Sequence, residues 1–153
     1  MLNCNDGEVS NTDDDLLVRE IGRVAGSFGS FGARLVAKRL TTKTCTEKLA
    51  LQITPQRAST LGRTVLSNLG KLQAGINETL SSSLKAVIGS GHMNLNPAVV
   101  SLTILAVESA WCEIIVTAKA KEGLIDQQTA EKAAERVASA LKEMAKEPSV
   151  LAE

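Results

Sequence analysis

Bulky hydrophobic residues recur at helical spacing near the N-terminus, over residues 15–40. They follow one another three or four positions apart, which is the repeat of one face of an α-helix. These residues are Leu17, Ile21, Val24, Phe28, Phe31 and Leu35. Small residues form a second stripe that includes Gly22, Gly26 and Gly29. The pattern predicts one amphipathic helix over residues 15–40, in which close packing along the glycine stripe offsets a cost of about 1 kcal/mol per glycine.

Residues 44–54 change to an alternation of apolar and polar side chains. The apolar positions that share a face are Leu49, Leu51 and Ile53. This period of two is typical of a half-buried strand. Thr54 and Pro55 then have the chemistry of an N-cap and a first helical residue, and Gly70 stands where the helix should end. We therefore predict a strand followed directly by a helix.

Residues 98–121 read as two strands joined by a short turn at Glu108, Ser109 and Ala110, which predicts an antiparallel hairpin. A shorter strand is predicted at residues 84–91, whereas residues 71–83 fit either a short strand or an irregular loop. The last helix is expected to begin at a cap formed by Asp126. Its inner stripe is predicted to be Ala130, Ala133, Val137, Leu141 and Met144.

The order of these elements predicts an α+β domain. Its antiparallel sheet would have three to four strands, with two helices on one face and an extra N-terminal amphipathic helix. The predicted organisation is a disordered acidic tail over residues 1–14, the amphipathic helix over residues 15–40, and the α+β domain over residues 44–147.

The strand–helix start and the long C-terminal helix after an antiparallel hairpin resemble the element order of helix-grip ligand-binding domains. The resemblance lies in element order alone, because no motif accompanies it and the predicted strands are fewer than that fold has. It implies a domain that binds a ligand.

One face of the predicted hairpin is more apolar than a solvated face should be. It carries Val99, Leu105, Val107, Trp111 and Ile115. Three kinds of cover are compatible with this pattern: the N-terminal helix, a second copy of the protein, or a small apolar ligand. The identity of the cover decides whether this face is part of the core or a binding site.

Composition argues against nucleic-acid binding. The chain has 17 Lys and Arg residues and 17 Asp and Glu residues, so it lacks the basic excess that phosphate contacts require. Aromatic residues make up only 2% of the chain, which is too few for a platform that stacks bases. We expect no nucleic-acid partner.

The three cysteines, Cys4, Cys45 and Cys112, are far apart and form no C-x-x-C pair. This spacing predicts reduced thiols rather than a disulfide framework or a zinc site, and we expect no metal or cofactor. Reduced thiols favour the cytoplasm or another reducing intracellular compartment. The acidic N-terminus does not resemble a secretory signal, and no apolar run has membrane-spanning length.

His92 is the only histidine and falls in a turn-rich stretch with Asn94 and Asn96. A catalytic histidine needs an orienting partner or a nucleophile, and the sequence shows neither, so we assign no catalytic residue. A small enzyme that uses His92 remains an alternative.

The N-terminal helix also carries a basic stripe opposite Phe28 and Phe31, a pattern that suits an anionic membrane surface. The stripe consists of Arg19, Arg23, Arg34 and Lys38.

Taken together, these features predict a non-catalytic domain that binds a protein partner or a second copy through the apolar sheet face or through Phe28, Phe31 and Leu35. The alternatives are an apolar-ligand or lipid-binding protein and a membrane-surface protein.

Overall fold

The computed structural model describes most of the chain. The described residues are 2–6, 11–73, 82–90, 96–122 and 127–146, and the side chains of residues 6, 11, 27–31, 82 and 90 are outside that description.

These residues form four helices and six strands. The helices are α1 (Asn11–Val24), α2 (Gly26–Ala37), α3 (Pro55–Leu69) and α4 (Thr129–Lys146). The strands are β1 (Asn3–Asp6), β2 (Thr41–Leu51), β3 (Gly70–Leu72), β4 (Ser82–Ser90), β5 (Asn96–Glu108) and β6 (Trp111–Glu122). The strands build one sheet in the order β1-β2-β6-β5-β4-β3, and every neighbouring pair is antiparallel.

The predicted sheet of three to four strands with two helices and one extra helix is wrong, because the structure has six strands and four helices. Strand β1 lies inside residues 1–14, for which the sequence predicts a disordered tail. Strand β3 has only three residues. Both strands are too short to show an alternating pattern, and each forms by pairing with a longer neighbour at an edge of the sheet.

The predicted single helix over residues 15–40 is also wrong. The chain forms α1 and α2, which meet at Ala25, and α1 begins earlier, at Asn11. Gly26 has a φ of 74°, a left-handed conformation that glycine adopts without strain. The two helices pack on each other, and a Cβ at Gly22 would collide with the side chain of Arg34. The glycine stripe is therefore used at a helix break and at a helix–helix contact.

Helices α3 and α4 pack on one face of the sheet, which we call the inner face. Its buried residues form the main hydrophobic core, with the largest fully buried side chains being Leu66, Ile88, Leu102, Ile114 and Leu141. The predicted stripe of α4 is buried at four of its positions, Ala130, Ala133, Val137 and Leu141, and Met144 is partly buried. Full burial of one such Leu or Ile contributes about 1.5–3 kcal/mol.

Helix α1 packs on the opposite face of the sheet, which we call the outer face. Its Leu17 is fully buried in a second, smaller cluster with Val87 and Val99. Helix α2 rests on α1 rather than on the sheet. The molecule therefore has three layers, with the sheet between the pair α1–α2 and the pair α3–α4.

The predicted start of α3 is confirmed, because the Thr54 hydroxyl accepts a hydrogen bond from the Arg57 backbone N–H at 3.3 Å and Pro55 is the first helical residue. Gly70 closes the helix in an extended conformation. Glycine is needed there because a Cβ would collide with the carbonyl oxygen of Val87 on the paired strand β4.

Glu122 of β6 accepts hydrogen bonds at the N-terminus of α4. The buried carboxylate of Glu122 accepts hydrogen bonds from the backbone N–H groups of Thr129 at 2.7 Å and Gln127 at 3.0 Å. Asp126, the predicted cap, lies outside the described residues. A carboxylate at the end of β6 thus meets the positive end of the helix dipole.

The prediction of three reduced thiols is wrong for two of them. Cys4 and Cys45 face each other in the register of β1 and β2 and form a disulfide. Their pairing was hidden from the sequence because it depends on β1, which the sequence pattern did not predict. Cys112 is a free, buried cysteine, and burial raises the pKa of its thiol.

Candidate functional site

The outer face is polar where the N-terminus of α1 meets it. Asp13 accepts hydrogen bonds from the ammonium groups of Lys119, at 2.8 Å, and Lys85. Its neighbour Asp14 pairs with Lys121 and accepts from the Thr42 hydroxyl at 3.1 Å. These contacts join the first turn of α1 to three strands of the sheet.

The Asp13 side chain is only 5% exposed, so its charge requires partners. Burial by itself raises the pKa of Asp13, but the hydrogen bonds and charges of Lys119 and Lys85 together outweigh burial and lower that pKa. The carboxylate is therefore held in its charged form, and α1 is fixed at one end of the outer face.

This position of α1 divides the apolar outer face that the sequence predicted. Val99 lies beneath α1 and is 1% exposed. Leu105, Val107 and Trp111 remain 42%, 63% and 41% exposed. Ile115 is half-buried between the two parts. We call Leu105, Val107 and Trp111 the tip patch.

On the side of β4, the β5–β6 hairpin continues past the last described pairing, whereas on the other side β2 pairs with β6 as far as Cys112. The first residue of β4, Ser82, pairs with Ile104, and β5 continues to Glu108. An irregularity between Ala106 and Glu108 shifts the register with β6. Such bulges redirect side chains and increase strand twist. Every residue from Leu105 through Trp111 is exposed.

An open cavity of about 350 Å³ lies beside Trp111, lined by residues of the hairpin and by Ala50 of β2. Charges of both signs surround the tip patch. Lys48 forms an ion pair with Glu113 at 3.7 Å, and Glu108 is exposed beside the cavity. An apolar centre with a polar rim is the usual arrangement of a protein–protein interface.

The residues of the predicted N-terminal site, Phe28, Phe31 and Leu35, belong to α2. Leu35 is 52% exposed on that helix, and the side chains of Phe28 and Phe31 lie outside the described residues. Arg34 and Lys38 are exposed on the same side of the molecule, close to Arg19 on α1. The basic stripe of the sequence is therefore formed by two packed helices.

The predicted loop site is described only at Asn96. His92 and Asn94 lie outside the described residues, whereas Asn96 begins β5 and its side-chain amide donates a hydrogen bond to Gln127. Within the described ranges, no three His, Cys, Asp or Glu residues come close enough together to hold a metal ion. None of the described helices has the length and apolar character needed to cross a membrane.

No model of a known protein family matches the chain, and no curated protein matches it. Among solved structures, the chain is similar to a conserved protein of unknown function, EF2215, from Enterococcus faecalis, with 9% identity and a TM-score of 0.45 over 71% of this chain and 74% of that one. It is also similar to the protein TTHA0849 from Thermus thermophilus, with 13% identity and a TM-score of 0.40 over 65% of this chain and 94% of that one.

Proposed function

We propose that this protein is a non-catalytic domain that self-associates through the tip patch. The observation that supports the proposal is that α1 covers only one part of the apolar outer face and leaves the tip patch exposed. Helix α1 covers Val99, whereas Leu105, Val107 and Trp111 remain exposed near the turn of the β5–β6 hairpin. Contiguous apolar side chains with a polar rim are typical of surfaces that bind another protein.

The size of the tip patch predicts the strength of the association. Each of its three side chains is about half exposed, so burying the rest contributes about 1 kcal/mol per side chain. Two copies together would gain about 6 kcal/mol, from which the entropy cost of association is subtracted. Since that cost is at least about 4 kcal/mol, the three side chains alone leave about 2 kcal/mol, and a dissociation constant of about 1 mM requires the charged rim to contribute about 2 kcal/mol more.

Charge complementarity favours a second copy as the occupant. The rim of the tip patch carries Lys48 beside Glu113, and Glu108 adds a second carboxylate. A second copy carries both signs in the same arrangement, so a two-fold contact can place opposite charges of the two copies against each other.

Trp111 is the only tryptophan in the chain, so its emission reports directly on the proposed interface. We expect its emission to shift to shorter wavelength as protein concentration rises, in parallel with an increase in mass measured by light scattering. Val107→Asp should abolish both changes because it places a charge in the apolar centre. Val36→Asp is the matched control, since Val36 on α2 is 59% exposed and Val107 is 63% exposed.

A monomer with constant Trp111 emission up to about 1 mM would overturn self-association at the expected affinity. If that monomer instead binds a hydrophobic dye, and Val107→Asp alone prevents the binding, the apolar-ligand alternative replaces it. The cavity beside Trp111 would then be the site.

Two other expectations from the sequence stay predictions. An enzyme that uses His92 is not tested, because His92 lies outside the described residues. A reducing intracellular compartment also stays a prediction, and the Cys4–Cys45 disulfide argues against it because disulfides persist mainly in oxidising surroundings.

A further inference from the structure

A second surface concentrates positive charge where α1, α2 and β3 meet. Arg19 and Arg23 of α1, Arg34 of α2 and Lys71 of β3 line one cavity of about 520 Å³. A second cavity, of about 420 Å³, is also lined by Arg19 and Arg34 and adds Lys38. We call these five cations the basic cleft.

The positive charge of the basic cleft is only partly balanced. Glu20 is buried and pairs with Arg23 at 2.7 Å, while its other oxygen lies 3.9 Å from Arg19. Asp15 is the second carboxylate at the two cavities. Arg34, Lys38 and Lys71 form no ion pair with the part of the chain that the structure describes. The chain as a whole has a formal net charge of zero, so the excess of cations in the basic cleft is a local property of this surface.

Packing holds part of the basic cleft in place. The Arg34 side chain crosses Gly22 so closely that a Cβ there would approach its Nε and Cγ atoms and require Arg34 to move. This packing places Arg34 beside α1, where it lines the first cavity together with Arg19 and Arg23.

Exposed aliphatic side chains accompany the cations. Leu35 is 52% exposed and lines the second cavity with Arg34 and Lys38, and the next residue, Val36, is 59% exposed. Cations beside exposed aliphatic residues match a membrane interface, where headgroups carry negative charge and the acyl boundary accepts apolar side chains. A free phosphate ion would bind through the cations alone and would not contact the exposed aliphatic side chains.

We propose that the basic cleft docks the protein on anionic phospholipid surfaces, with Leu35 at the acyl boundary. This surface is distinct from the tip patch. Neither of the two cavities that define the basic cleft is lined by Leu105, Val107 or Trp111. The two proposals therefore rest on different residues and can fail separately.

Co-sedimentation with vesicles tests the proposal. The full chain should bind phosphatidylcholine vesicles that contain about 30% phosphatidylserine and should not bind pure phosphatidylcholine vesicles. Binding should weaken between about 0.05 M and about 0.3 M salt because the charges are exposed. Absence of serine-lipid-dependent binding at the lower salt concentration would overturn the proposal.

Charge-reversal variants identify the surface. Each cation near an anionic membrane contributes about fivefold in affinity, so Lys38→Glu and Lys71→Glu should each weaken vesicle binding by roughly 25-fold. Both lysines are exposed, so neither change should disturb folding, which thermal melts would check. Lys146→Glu is the matched control, because it changes net charge equally on α4, in the layer on the other side of the sheet. Equal losses in all three variants would contradict a localised site.

Two further measurements separate a membrane from a soluble anion. Leu35→Ser should weaken vesicle binding several-fold without changing its salt dependence, because it removes only the apolar contribution. Inorganic phosphate at millimolar concentration should not displace the vesicles beyond the effect of an equal ionic strength of chloride. Unchanged binding by Leu35→Ser together with full displacement by phosphate would show a site for soluble anions instead.

Discussion

Asp13, Asp14 and Asp15 are consecutive acidic residues that the structure places in three different environments. The sequence indicates only that such a run suits the first turn of a helix. On α1 the three side chains point in different directions, so Asp13 is buried against the sheet, Asp14 is half-buried and Asp15 is exposed. Burial of Asp13 depends on Lys85 and Lys119, which are 72 and 106 residues away in the chain.

Asp13→Asn should lower the free energy of unfolding at neutral pH by about 2 kcal/mol. A fully buried ion pair costs more when one partner is removed, but Lys85 and Lys119 each retain 17% exposure and can be partly rehydrated. Asp15→Asn is the matched control for the helix dipole alone and should cost less than about 1 kcal/mol. Urea denaturation of the three proteins measures both effects.

The difference in unfolding free energy between wild type and Asp13→Asn should depend on pH. The folded-state pKa of Asp13 is lowered, so its stabilising contribution is complete above the usual carboxyl value of about 3.9 and is lost as pH falls through the lower folded value. The difference in stability between wild type and Asp13→Asn should therefore shrink below about pH 4. A difference that stays constant down to about pH 2 would contradict the ion pair.

At the scale of elements, long periodic segments were predictable and short or interrupted ones were not. The alternation in β2 and in the β5–β6 hairpin, and the stripes of α3 and α4, follow from local spacing. The break between α1 and α2 was missed because the apolar residues keep their helical spacing across Ala25. Gly26 was the available signal, but a glycine alone does not distinguish a helix break from close packing.

Strand β1 shows how a tertiary contact can create an element. It has four residues, and its pairing with β2 is reinforced by the Cys4–Cys45 disulfide, which closes a loop with a sequence separation of 41. The loop contains both α1 and α2. The disulfide therefore restricts the unfolded chain over the whole outer helical layer.

Reduction of the disulfide should lower the free energy of unfolding by about 4 kcal/mol, the value expected for a loop with a sequence separation of 41. Thermal melts with and without reductant measure the loss. Cys4→Ser should show a similar loss and no further response to reductant, which is the control for other effects of the reagent. Equal responses of wild type and Cys4→Ser to reductant would show that the disulfide does not stabilise the protein.

At the scale of the whole molecule, the sheet separates two hydrophobic clusters. Leu17 contributes to the small cluster beneath α1, and Ile114 contributes to the large one beneath α3 and α4. They lie on opposite faces of the sheet and belong to different clusters. Their contributions to stability should therefore be independent, although both belong to one cooperative structure.

Leu17→Ala should cost about 2–5 kcal/mol and Ile114→Val about 1 kcal/mol, because each removes buried methyl or methylene groups. The double variant should lose the sum of the two within about 0.5 kcal/mol. Urea unfolding followed by circular dichroism measures all three values. A large deviation from additivity would show that the sheet transmits strain between its two faces.

The sequence by itself determined the α+β character, the strand–helix unit at Thr54, the β5–β6 hairpin and the inner stripe of α4. These features depend on spacing and caps within a few residues of one another. Only the tertiary structure decided the six-strand order, the disulfide, the partners of Asp13 and the half of the outer face that α1 covers. Each of those depends on contacts between distant segments, and a periodic pattern states that a face is apolar without stating what lies against it.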